Sequence, residues 1–177
     1  FRGKVIAIGV VMGCMLMPVA LLTIPQYSIF HALHLTNTML AIIIPCCVSP
    51  FGFFLGRVYA QTSVPNELLE AARIDGAGEA RIFFTIVLRL LAPAMVTIFL
   101  FLFVGTWNNF LLPLMMVSSD TLKPVTLGLY GMVSLATFTD RGALMMGALL
   151  GVLPVIVLFL GLQRYWQAGL AAGAVKG

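Results

Sequence analysis

The side chains able to do chemistry gather between Arg57 and Arg89. Four acids (Glu67, Glu70, Asp75, Glu79) alternate there with four arginines (Arg57, Arg73, Arg81, Arg89), so the local charge cancels. Only two of the chain's six acids lie elsewhere. A linker joining neighbouring helices needs roughly 2–8 residues; the interval 57–89 is far longer and carries helical periodicity, which marks a docking element for another protein. Ser63 and Pro65 read as a helix start, a hydroxyl cap followed by a proline in the first turn. Glu67–Ile74 then forms one short helix, with Glu70 and Arg73 spaced for a weak i,i+3 pair. Ala71 and Ala72 keep its profile low, so a partner surface can approach the backbone. Gly76 and Gly78 end it. Other reactive side chains are sparse. His31 and His34 share a helix face if the segment is helical, but no carboxylate or cysteine accompanies them to make a zinc site. Cys14, Cys46 and Cys47 lie in apolar runs and read as small hydrophobes. No Gly-x4-Gly-Lys-Ser/Thr phosphate loop is present, nor His-Glu-x2-His, nor Gly-x-Ser-x-Gly.

These groups must be held by apolar helices. Hydrophobic residues make up 61% of the 177 and charged residues 9%, with a mean hydropathy of +1.08. Aqueous domains carry about 25% charged residues, so an all-α, polytopic helical bundle in a membrane is expected. Four spans are predicted, at about 5–24, 39–56, 91–112 and 142–163, with the loop 57–89 between the second and third. The first has a kink predicted at Pro18 and a small-residue face at Gly9 and Gly13. A second helix, from Glu79 to about Ala92, shows an apolar stripe at Phe83, Ile86, Val87 and Leu90 opposite Arg81, Thr85 and Arg89, a pattern for the membrane interface. Trp107 suits a membrane–water boundary. Asn108 and Asn109 either end the third span there or turn inward as pathway-lining residues. The stretch 118–141 is polar enough to leave the hydrocarbon. In the last span Ala143, Gly147 and Gly151 recur one turn apart.

Four spans place both termini and the loop on one side. That side holds Arg2, Lys4, Arg57, Arg73, Arg81, Arg89, Arg164 and Lys176, eight of the ten basic residues. The positive-inside rule makes it the cytoplasm. Charged residues buried mid-span, which ion-coupled carriers use, are missing.

The text Glu70-Ala71-Ala72-Arg73-Ile74-Asp75-Gly76, followed by Ile86 and Leu88, resembles the cytoplasmic loop of permease subunits in binding-protein-dependent ABC importers. Arg73-Ile74-Asp75-Gly76-Ala77 resembles the carbohydrate, maltose-type branch. Gly105 to Phe110 and the ending Gly169 to Gly177 are similar to that family as well. The resemblance implies a bacterial or archaeal cytoplasmic (inner) membrane location and import of mono- or oligosaccharides. It implies a homologous permease subunit, two cytoplasmic ATPase subunits that bind the ATP, and an extracytoplasmic solute-binding protein as partners. No enzyme activity, catalytic residue, cofactor or metal is then expected on this chain. Glu67, Glu70, Ala71, Ala72, Arg73, Asp75 and Gly76 would couple to the ATPase, with Glu70 and Arg73 as polar anchors. Such permeases have six spans, so two are expected to precede Phe1. Arg89 stands where the family usually has proline; without that break the helix from Glu79 is predicted to run unbroken to at least Leu91. A permease for another solute class, a non-transporting membrane anchor that recruits a cytoplasmic partner, and a secondary carrier are the alternatives.

Overall fold

The computed structural model describes residues 2–134 and 140–174. Phe1, the stretch 135–139 and the last three residues of the expected C-terminal motif lie outside them. Every regular element described is helical. In chain order these are α1 (Lys4–Leu16), α2 (Val19–Ala32), α3 (Leu40–Cys46), α4 (Pro50–Ser63) and α5 (Asn66–Ile74). Then come α6 (Glu79–Leu90), α7 (Ala92–Trp107), α8 (Leu111–Met116), α9 (Val125–Ser134) and α10 (Arg141–Ala174), with a 3-10 turn at Asp120–Leu122. The chain divides into two compact units, one from the residues up to Pro50 with Phe103–Leu158, the other from Phe51–Leu102 and the chain from Phe159 onward.

In the first unit, the expected span 5–24 is not one helix. Met17 and Pro18 are both extended (ψ 128° each), and α1 and α2 meet at 101°. The ring of a proline pushes the preceding residue out of the helical region, so Pro18 ends a helix where a kink was predicted. Pro25, inside α2, leaves that helix continuous. A Cβ at Gly9 or Gly13 would meet nothing within 4 Å, so the expected small-residue face makes no close contact with the described residues of this chain. The core lies where α2, α3 and α8 converge: Phe30, Ala41, Leu112, Met116 and Val117 are buried together.

Two features of this unit went unread in the sequence. Asn37, between α2 and α3, adopts φ 57° and binds the exit of α8. Its Oδ1 accepts from the N–H groups of Ser118 and Ser119 (3.1 and 2.9 Å), its Nδ2 donates to Ser119 Oγ (2.8 Å), and its own N–H donates to Met116 O (2.7 Å). The second is α9, an apolar helix inside the stretch expected to be polar enough to leave the hydrocarbon. It packs on α10 through the glycines: a Cβ at Gly147 would stand 2.8 Å from Leu129 Cδ2, and one at Gly151 would stand 2.9 Å from Val125 Cγ1. Asp140 caps α10, its carboxylate accepting from the Ala143 N–H at 3.0 Å.

In the second unit, α4 passes through Arg57 to Ser63, seven residues beyond the expected end of the second span. A charge does not stop a helix; Pro65 does, by extending the chain before it. Phe51 meets Phe101 edge to face with centroids 5.9 Å apart, and the Cβ position of Gly56 is 3.5 Å from Ile98 Cδ1, which joins α4 to α7. The helix from Glu79 is unbroken through Arg89 to Leu90, and Leu91 forms the turn into α7, one residue short of the expected limit. Residues Phe83–Val87 form a π-turn, and the Thr85 hydroxyl donates to the Arg81 carbonyl at 2.6 Å. Ile82, just ahead of the turn, is buried, Ile86 and Val87 are half-buried, and Phe83 and Leu90 are exposed. Pro93 lies in the first turn of α7, where a missing N–H costs nothing.

Leu40–Ser63 and Arg141–Gln163 are each long and apolar enough to cross a membrane. The other two expected spans reach that length only as bent pairs, Lys4–Leu16 with Val19–Ala32 at 101° and Glu79–Leu90 with Ala92–Trp107 at 74°. The third expected span, 91–112, ends at Trp107, before the break at 108–110.

Candidate partner-docking site

Helix α5 begins after Pro65, which holds the N-cap position (φ −66°, ψ 135°). Ser63 is the last residue of α4 and supplies no cap, contrary to expectation, and the proline precedes the first turn instead of occupying it. Glu67 in the first turn and Arg73 in the last complement the helix dipole.

One face of α5 is open. Glu67, Glu70, Ala71 and Ile74 follow the i, i+3, i+4, i+7 rule for a single helix face, and all are exposed, Ile74 to 86%. Ala72 is on the other side, 9% exposed, so of the two alanines expected to form the contact face only Ala71 lies on the open side. Among the described residues the carboxylates of Glu67, Glu70 and Asp75 hold no hydrogen bond or salt bridge. The face therefore offers two free carboxylates, a small residue and a bare isoleucine side by side.

The helix closes in a Schellman motif. The Gly76 N–H donates to Arg73 O and the Ala77 N–H to Ala72 O, both at 3.0 Å, with Gly76 at φ +79°. Glycine is required at that angle, since an L side chain there crowds its own backbone. The reversal brings Glu79 beside the last turn of α5. Arg73 Nε donates to Glu79 Oε1 at 2.7 Å and Nη2 to Oε2 at 3.3 Å. The predicted Glu70–Arg73 pair is thus replaced by a two-bond fork to Glu79, which matches guanidinium to carboxylate better than a single i,i+3 contact. The hydrogen bond and charge of Glu79 raise the Arg73 pKa, and those of Arg73 hold the Glu79 carboxyl below its ordinary range.

Other expected site residues are not near this face in sequence or in their bonds. Asn108 Nδ2 donates back to Val104 O at 2.9 Å, ending α7, and Asn109 Oδ1 accepts from the Leu112 N–H at 3.4 Å, starting α8. Trp107, expected at the membrane boundary, stacks on Phe103 and donates its indole N–H to Gly151 O at 2.9 Å. His31 stacks on Tyr27, whereas His34 lies past the end of α2 at φ 54°, so the two do not share a helix face. Among the described residues no three metal-binding side chains gather. Sequence reasoning missed Glu79 as the partner of Arg73; the signal was present in the acid just past a Gly-x-Gly turn.

The chain as a whole is similar to known proteins. The model of the binding-protein-dependent transport system inner membrane component family matches residues 4–171, and the chain belongs to that family, a membrane component of transport systems and not a catalytic subunit. The arabinooligosaccharides transport system permease protein AraQ of Halalkalibacterium halodurans is 34% identical over the whole chain, which spans 63% of its length. The melibiose/raffinose/stachyose import permease protein MelC of Bacillus subtilis is 35% identical over 96% of the chain and 62% of its own length. A bacterial ABC transporter involved in the import of the acidic polysaccharide alginate has the same fold, with a TM-score of 0.77 and 23% identity, over 94% of this chain and 63% of that one. The chain thus spans less than two thirds of the length of these relatives.

Proposed function

We propose that this chain forms part of one permease subunit of an ATP-driven importer of mono- or oligosaccharides, lining half of the translocation pathway. A homologous permease subunit supplies the other half. An extracytoplasmic solute-binding protein delivers the sugar, and two cytoplasmic ATPase subunits bind and hydrolyse the ATP. The chain itself carries no cofactor and no catalytic residue. Its loop and C-terminus face the cytoplasm, in keeping with the distribution of basic residues.

The observation that carries this reading is the open face of α5, with Glu67, Glu70, Ala71 and Ile74 exposed together just before the Gly76 turn. Two free carboxylates and an uncovered isoleucine suit a partner cleft that is apolar at its centre and basic at its rim. Closure of the ATPase pair moves α5. The pathway responds because the two ATPase states bind different permease conformations with different affinity; without that difference no equilibrium shifts. Asn108 remains an exposed amide available to the pathway, while Asn109 has its amide at a helix start.

The experiment is uptake by vesicles holding the complete importer with ATP on the ATPase side. Sugar uptake that requires the ATPase supports the reading. Uptake driven by an ion gradient alone, or none with a sugar panel and a functional ATPase, rejects it. A second solute class has one observation in its favour: the sn-glycerol-3-phosphate transport system permease protein UgpE of Yersinia pestis is 32% identical over 88% of the chain. A polyol phosphate belongs in the same screen.

A further inference from the structure

Gly76 places glycine, the residue type with the widest backbone freedom, at the joint between α5 and α6. Nothing lies within 4 Å of its Cβ position, so no side chain packs on the glycine itself. Two backbone hydrogen bonds close the turn. Among the described residues the one side-chain bridge across it is Arg73–Glu79. We propose that Arg73 is a positioning residue whose fork to Glu79 fixes the angle between the docking helix and α6, and that it is not an anchor for the ATPase. This rests on the permease reading above.

Three observations carry it. The bridge uses Nε and Nη2, one edge of the guanidinium, against both carboxylate oxygens. Two parallel bonds fix direction as well as distance, which a single ammonium contact does not. Second, Arg73 stands off the open face, roughly 110° round the helix from the centre of the Glu67, Glu70, Ala71 and Ile74 face at 100° per residue. Third, both partners are well exposed, with side chains at 49% and 74%. Exposed pairs add little to stability, so the bridge earns its place by geometry. Pushing on α5 then turns α6 as one body; without the bridge the same push is absorbed by rotation at Gly76.

The test uses the complete reconstituted importer and four variants: Arg73→Gln, Arg73→Lys, Glu79→Gln and the exchange Arg73→Glu/Glu79→Arg. The readouts are ATPase co-purification and sugar moved per ATP consumed. Both Gln variants are expected to keep the ATPase bound and to lose sugar per ATP about tenfold. Arg73→Lys recovers only part of it, and the exchange recovers most of it, within about twofold of the parent. Loss of ATPase binding in Arg73→Gln but not in Glu79→Gln makes Arg73 an anchor and overturns the proposal. So does an unchanged ratio in either Gln variant, or an exchange no better than the single changes. A second measurement is independent of transport: spin labels at Asn66 and Ala80, with Cys14, Cys46 and Cys47 replaced by serine. The inter-label distance distribution is expected to broaden in both Gln variants and narrow again in the exchange. Absence of broadening overturns the strut even if sugar per ATP falls in the Gln variants. Broadening in the Gln variants of a complex whose parent moves no sugar with ATP upholds the strut and fails the permease reading instead.

Discussion

Replacement of Gly76 separates two reasons for a glycine in a docking loop. Its φ is +79°. An L-residue in the left-handed region costs roughly 1–2 kcal/mol, and a β-branched one is a genuine outlier there. No steric charge is added inside the chain, because a Cβ at Gly76 meets nothing within 4 Å. The cost is therefore torsional, and 1–2 kcal/mol lowers the population of the native turn by a factor of about 5–30. Asparagine tolerates this region better than alanine. The expected order of sugar moved per ATP is Gly76, then Gly76→Asn, then Gly76→Ala, then Gly76→Val, with membrane insertion intact throughout. The assay is uptake and ATP hydrolysis by reconstituted vesicles, with ATPase co-purification as a control. If alanine outperforms the bulkier asparagine, the glycine serves close approach by the partner, and the torsional reasoning is refuted. Normal uptake by Gly76→Val removes any role for the turn.

Gly151→Ala is expected to lower the thermal stability of the detergent-purified protein, since its Cβ would stand 2.9 Å from the stiff Val125 side chain; Val125→Ala in the same protein should restore most of it, and no restoration refutes the contact. Asn37→Ala should destabilise by about 2 kcal/mol, losing three side-chain hydrogen bonds worth about 0.5–1.5 kcal/mol each when fully formed. Asn37→Asp keeps the acceptor oxygen and should cost less; equal melting shifts for the two would count against the staple. A cysteine at Ser63 is expected to be labelled only from the cytoplasmic side and one at Thr121 only from outside, and labelling of both from one side overturns the four-span topology.

What the sequence made legible was set by local rules. The helix Glu67–Ile74 and its glycine stop were readable because capping and the left-handed turn are decided by a few adjacent residues. The last span was readable from length and hydropathy. Ala72 was misplaced because an alanine reads alike on either face of a short helix. The partner of Arg73 was misread because i,i+3 spacing ignores a chain reversal three residues later. Pro18 was expected to bend a span, and whether a proline kinks or ends a helix depends on whether neighbours accommodate the freed carbonyls. Asn37 and the 116–119 segment are about eighty positions apart in sequence, and no periodicity connects them. The α9 helix hid behind Lys123 and Asp120, whose charges neutralise each other in a 3-10 turn just ahead of it.

The π-turn at Phe83–Val87 has a consequence for chain length. A π-turn closes its ring over five residues where an α-turn uses four, so it holds one residue more than the regular helix for the same reach. Removing a single residue from 83–87 would let the segment relax to plain α-helix while α7 keeps its rotation relative to Gly78. The same removal in the regular turns on either side would swing everything downstream by about 100°. The segment is thus the one point in α6 where a deletion is absorbed locally. Homologous chains one residue shorter there would still present the docking helix and the span in the same phase.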